Sequence, residues 1–180
     1  MIVSSAQEAS GRTRVDAFRS TLVDPAVTAL QTKTSLPRDV DGNLEAAFSH
    51  AVEEAGAHVG LLHRRGDAFM YTIGVHGLDR GLHMLVWVSM WDPAMQAMLR
   101  GETLVGSSEK SVEHATVARR LQSACAPGFV VAVPVMVGDS VEAVVELGRF
   151  RSGFARGVEL QVLATMQDVA SGHRRARAQV

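Results

Sequence analysis

Between Gly101 and Ser108 the chain reads Gly-Glu-Thr-Leu-Val-Gly-Ser-Ser, with two glycines at the spacing of a phosphate-binding loop. Such a loop cradles phosphates with backbone N–H groups and needs a lysine for the β and γ phosphates. Ser107 stands where that lysine would be, so the nucleotide reading fails. No HExxH, GxSxG or GxGxxG occurs either, which removes the common metalloprotease, hydrolase and dinucleotide signatures. The single cysteine, Cys125, permits neither an intrachain disulfide nor a cysteine-based zinc cage, and its setting in Ser-Ala-Cys-Ala-Pro reads as a small, partly buried side chain. His76, His83 and His114 do not fall at a metal-ligand spacing. What remains is a concentration of soft, bulky groups: Trp87 and Trp91, the only tryptophans, with Met84, Met90, Met95 and Met98. They suit the lining of an apolar pocket with few polar contacts, for which Trp87, Trp91, Met95, Met98, His114 and Arg119 are the candidate ligand-binding residues. The competing reading is a second core packed on itself.

The elements that must hold these residues follow from periodicity. Asp41-Gly42-Asn43 supplies capping oxygens for a helix whose apolar positions are Leu44, Ala47, Phe48, Ala51, Val52 and Ala55, stopped by Gly56. Two hairpins come next in kind. One runs from Ala57 to Val75 about Arg65-Gly66-Asp67, a tripeptide that spells an adhesion motif but reads here as a turn. The other joins Phe129 to Val137 with Val141 to Phe150 through Gly138-Asp139. In its first strand Val130, Ala132, Pro134 and Met136 share one face, and Val131, Val133, Val135 and Val137 the other, so both faces are covered. Pro134 donates no hydrogen bond and belongs at a bulge or where the neighbouring strand is absent, a place where a pocket can open. Between the hairpins, Gly77 to Pro127 is irregular. A strand is predicted over Leu82 to Met90, a helix opened by Asp92-Pro93 and closed by Gly101, and a helix over Ser111 to Ser123. A long helix from about Gly153 to Arg177 carries the inward stripe Phe154, Val158, Val162, Met166, Val169 and Ala170.

The 180 residues carry 18 basic and 19 acidic side chains, for a formal net charge of −1. Nothing in that balance favours a polyanion, and Arg174, Arg175 and Arg177 are explained by a solvated helix end, so no nucleic-acid partner is expected. Lys33 and Lys110 are the only lysines, an arginine bias that reflects GC-rich coding. No apolar run reaches the ~18 residues of a membrane span, and the first ten residues lack a signal peptide's basic start and apolar middle. A cytoplasmic protein with no membrane association is expected. Residues 1–40 form an N-terminal extension, partly ordered, with a short helix predicted after Asp24-Pro25; residues 41–180 form the domain.

From Asn43 to Arg175 the chain resembles the GAF sensory domains. The resemblance rests on the opening helix and glycine-turned hairpin, and above all on Val133-Pro134-Val135, the glycine turn, Val141 to Leu147, then Phe154, Glu159 and Leu163. It is similar to the family's "VPL, glycine, GVL, F, E, L" ending, with Ala143 where the family usually has glycine. The resemblance implies an α+β fold: a central antiparallel sheet of about six strands, terminal helices on one face and a helical insertion roofing a pocket on the other. It also implies a homodimer through the terminal helices; with no output domain after the last helix, the output is expected to act on a partner protein in trans or through the first 40 residues. Some GAF domains reduce methionine sulfoxide, but a lone Cys125 cannot cycle between nucleophilic and resolving thiols. The cyclic-nucleotide members carry Asn-Lys, whereas Asn43 precedes Leu44. The tetrapyrrole-binding members pair a tethering cysteine with histidine, and no histidine lies within ten residues of Cys125. Haem needs only an axial histidine, for which His76, His83 and His114 are available. The expectation is a non-catalytic regulatory module that senses a small molecule or binds a partner protein, with no cofactor required by the sequence. The alternatives are a pure interaction module whose pocket is self-filled, and a haem or chromophore sensor.

Overall fold

The computed structural model describes residues 38–83 and 86–177, with side chains over 42–83 and 86–170. The chain divides into two units, Met1–Arg38 and Asp39–Val180, and the elements described make up the second. The short helix predicted after Asp24 lies outside the described residues, as does Met84.

Helix α1 (Arg38–Ala55) opens the domain. It already includes Asp41-Gly42-Asn43, which is therefore helical rather than a cap. Its end is the predicted one, at Gly56 with φ 59°. Strands β1 (Val59–Arg65) and β2 (Phe69–His76) form the first hairpin, and the Gly66 N–H donates to the Phe69 carbonyl at 2.9 Å, which makes Arg65-Gly66-Asp67 part of the turn. The second hairpin, β5 (Phe129–Val137) and β6 (Ser140–Arg149), is the predicted one, with Gly138 at φ 65°.

The middle of the chain departs most from expectation. In place of one strand over Leu82 to Met90 there is a single helical turn, α2 (Arg80–His83), and a three-residue strand, β3 (Trp87–Ser89). The glycine-spaced segment that mimics a phosphate loop is strand β4 (Leu104–Ser107). Helices α3 (Pro93–Leu99) and α4 (Val112–Arg120) are capped as their sequences require: Asp92 accepts from Met95 N–H, and Ser111 from His114 N–H. Helix α5 (Val158–Arg177) begins five residues later than predicted, after Gly157 at φ 82°, and buries Val158, Val162, Met166 and Ala170. Phe154 precedes the helix and lies beneath the Arg149 guanidinium, 5.8 Å from its ring centre.

The six strands form one antiparallel sheet in the order β3-β2-β1-β6-β5-β4. Its two faces carry two cores, as the alternation in β5 requires. Val131, Val133 and Val135, with Leu62, Val145 and Leu147, pack under α1 and α5. Val130, Ala132 and Val144, with Val59, Leu61 and Met70, pack under α3 and α4. Strand β4 reaches only Ala132, so Pro134 lies past its end and one residue from the β5–β6 register shift at Val135/Met136. Proline's missing N–H therefore costs no ladder bond on the β4 side.

Candidate functional site

The sheet's central strands carry two polar side chains into the core beneath the insertion. Glu146 on β6 and His63 on β1 are both fully buried. The β1–β6 register pairs Leu61 with Glu146 and His63 with Val144, so His63 and Glu146 are diagonal neighbours on one face. A bulge sets the other side. The β1–β2 register slips after Leu62↔Gly74, which leaves Ile73 as the extra residue and brings Thr72 opposite His63. Thr72 Oγ1 lies 3.0 Å from His63 Nδ1, and Glu146 Oε2 3.3 Å from His63 Nε2.

The insertion completes the cluster. Arg120, the last residue of α4, donates from Nε to both Glu146 oxygens, at 3.1 and 3.0 Å, and from Nη2 to Oε1. Its Nη1 lies 2.8 Å from Asp92 Oδ2, at the N-terminus of α3. Asp92 thus caps α3 with one oxygen and meets Arg120 with the other. One guanidinium ties both insertion helices to the middle of the sheet. The electrostatics follow from that geometry. Burial opposes ionisation of Glu146, but the Arg120 charge and, after it, His63 overcome the opposition and hold its carboxyl down to about 2. Burial likewise opposes the Arg120 charge, and Glu146 and Asp92 outweigh it, holding the guanidinium above its usual value.

A depressed carboxyl stabilises the fold at pH values above its unfolded value, and the contribution is lost as the pH falls through the folded one. For Glu146 that window runs from 4.5 down to about 2. Urea titrations at successive pH values across it should show stability falling, and Glu146→Gln should remove this part of the fall, because the amide does not titrate.

The residues singled out in the sequence are divided by the fold. Met95 and Met98 are fully buried under α3, packed with Met70, Val117 and Leu121. Trp87 and Trp91 face outward, 48% and 86% exposed. Trp87 forms an edge cluster with Phe69 and Tyr71, at ring separations of 5.4 and 5.8 Å. Arg119 is exposed on α4, and its neighbour Arg120 is the arginine that turns to the sheet. His114 is buried near Gly106. Ser111 spends its one hydroxyl hydrogen on Glu113, whose carboxyl that bond holds below its usual value, so His114 Nδ1–H donates to Ser111 Oγ at 2.9 Å. His76 ends β2 and His83 ends α2, half-buried, with its Nδ1 2.8 Å from the Asp79 carbonyl. Cys125 is exposed rather than partly buried, because the loop between α4 and β5 runs over the surface. Among the described residues no group of three His, Cys, Asp or Glu side chains is placed to hold a metal, and no helix is long and apolar enough to cross a membrane.

Neither Glu146 nor His63 was singled out from the sequence, although each is a polar residue inside an apolar strand, in Val-Val-Glu-Leu and Leu-Leu-His-Arg. A charge at the inward position of a central strand demands a partner, and that demand is the signal that would have found them.

The fold recurs in solved structures. The GAF domain/HD domain protein from Geobacter sulfurreducens matches with a TM-score of 0.63 at 16% identity, over 77% of this chain and 95% of that one. The chain has the fold of a GAF domain. The GAF-B domain of DevS from Mycobacterium smegmatis matches at a TM-score of 0.62 and 14% identity, over 78% of this chain and 96% of that one. The GAF domain of an Acinetobacter phosphoenolpyruvate-protein phosphotransferase gives 0.61 and 14%, over 84% and 92%. No family model matches the sequence, and no curated protein sequence matches it significantly. In this GAF fold the charged cluster lies between sheet and insertion. On the opposite face an open groove of about 660 Å³ separates α1 from α5, lined by Ala46, Ala47 and His50 on one side and Thr165, Asp168 and Val169 on the other.

Proposed function

We propose that this GAF-fold domain is a non-catalytic regulatory module whose controlled element is the insertion over the sheet. The observation that carries the reading is the single guanidinium of Arg120 shared between Asp92 of the insertion and Glu146 of the central strand. An effector that binds one arrangement of α3 and α4 better than another shifts their population by its differential affinity, ~1–3 kcal/mol in typical couplings. The terminal helices α1 and α5 carry the difference to a second copy, whose helix would fill the groove between Ala46 and Val169, and from there to a partner protein in trans. Small side chains along α1 favour that close approach.

Asp92→Asn tests the hold on the insertion. The amide keeps an oxygen for the α3 cap and removes the charge that faces Arg120. Amide exchange across residues 93–120 should quicken while β5 and β6 stay protected, and unchanged exchange there would remove the network from the mechanism. Native mass spectrometry of the full chain reports the subunit count and any retained small molecule together.

A second reading is favoured by Met95 and Met98, which fill the space under α3 themselves. In that case the effector is a protein, and the exposed Trp87 and Trp91 are its contact surface. Trp91→Ala would then weaken partner capture without altering the fold.

A further inference from the structure

The contact between His63 Nδ1 and the Thr72 hydroxyl can run in either sense, and the two senses differ in where Thr72 points its hydrogen. The Thr72 hydroxyl lies 3.0 Å from His63 Nδ1 and 3.3 Å from the Val86 carbonyl. That carbonyl already accepts the Thr72 N–H at 3.0 Å. A hydroxyl has one hydrogen and can serve only one of the two acceptors. With neutral His63 holding its proton on Nε2, towards Glu146, Thr72 donates to Nδ1. When His63 takes up a proton from solvent at Nδ1, that N–H donates to Thr72 Oγ1, and the hydroxyl turns its hydrogen to Val86.

We propose that Thr72 is a proton-operated rotor, through which protonation of buried His63 adds a hydrogen bond to the Val86 carbonyl where the insertion leaves the sheet. The proton is then an effector of the domain. This rests on the reading that the hold of the insertion on the sheet is the regulated quantity. The groups around His63 suit the role. Glu146 faces it from β6, with Arg120 of α4 and Asp92 ahead of α3 beyond that carboxylate, and Thr72 faces it from β2. With Asp92, Glu146 and Arg120 charged, the cluster carries one surplus negative charge, which protonated His63 cancels. The readout is built in, because Trp87 follows Val86 in the chain and is half-exposed.

The experiment uses the full chain with Trp91→Phe, so that Trp87 alone fluoresces, titrated over about pH 5 to 8. Emission and the His63 imidazole nitrogen shifts, read by NMR, should change together with one midpoint. In Thr72→Val the His63 transition should survive and the emission transition vanish; Thr72→Ser, which keeps a rotor, should retain both. In His63→Gln the emission should be flat. The proposal is overturned if His63 does not titrate in that range, if Trp87 ignores the titration, or if Thr72→Val still follows it. Loosening of the insertion by Asp92→Asn with no pH response of Trp87 would defeat the rotor and leave the regulatory reading standing.

Discussion

Arg120→Met is expected to cost about 3–5 kcal/mol of folding stability, and adding Glu146→Leu to recover most of that loss. The single substitution removes a guanidinium that donates to a carboxylate with no exposure at all. Glu146 then keeps a buried charge faced by His63 alone or takes up a proton, and its carboxyl, no longer held at about 2, rises because burial opposes the charge. The loss of stability that the parent shows as the pH falls from 4.5 to about 2 should therefore vanish in the variant, a difference visible in urea midpoints measured at the two ends of that window. The double substitution replaces the buried pair with apolar side chains of similar volume, which is commonly neutral or stabilising by ~1–4 kcal/mol. Glu146→Leu alone should cost less than Arg120→Met, since Arg120 is partly exposed and retains Asp92. If the double variant were no more stable than Arg120→Met, the loss would lie in the packing of the arginine stem rather than in a stranded charge.

These energies belong to residues that the sequence shows without showing their meeting. Strict alternation from Val130 to Val137 and the Gly138-Asp139 turn make β5, β6 and the double-sided core legible, because strand period and turn chemistry are local. Asp92-Pro93 and Ser111 mark their helix starts for the same reason. Strands of three and four residues are too short to establish a period, so β3 is overextended and β4 disappears into a run that looks like a phosphate loop. Apolar residues do not mark the inward face of α4, since Val112 is 67% exposed, and nothing in the sequence tells that Arg119 stays at the surface while Arg120 turns to the sheet. The cluster itself depends on long-range register. Glu146 meets His63 only because β6 enters the sheet beside β1, and Thr72 meets His63 only because the β1–β2 ladder slips by one residue. No local pattern encodes either.

The second large effect lies on the other face. Phe48→Ala should cost about 3–5 kcal/mol, towards the upper end of that range, and Phe48→Leu distinctly less. The Phe48 ring, 1% exposed, fills a dent made by glycines on adjacent strands: a methyl group at Gly60 would lie 3.1 Å from its Cζ, and one at Gly74 3.0 Å from its Cδ1. A cavity floored by main chain has few side chains that can swing in to close it, so little of the lost volume is recovered. Helix α1, which otherwise holds to the sheet through Leu44, Ala51, Val52 and Ala55, should lose amide protection first. Unlike Arg120→Met, this variant should show no change in pH dependence. The same Gly60 position lies 3.3 Å from the Glu146 carbonyl oxygen, so the seat of Phe48 and the anchor of Arg120 share the backbone of β1 and β6. Combining Phe48→Ala with Arg120→Met therefore measures whether insertion and terminal helix communicate. An interaction energy above ~0.5 kcal/mol in the double-mutant cycle is the expected result, and strict additivity would leave the two faces independent and the relay without a path.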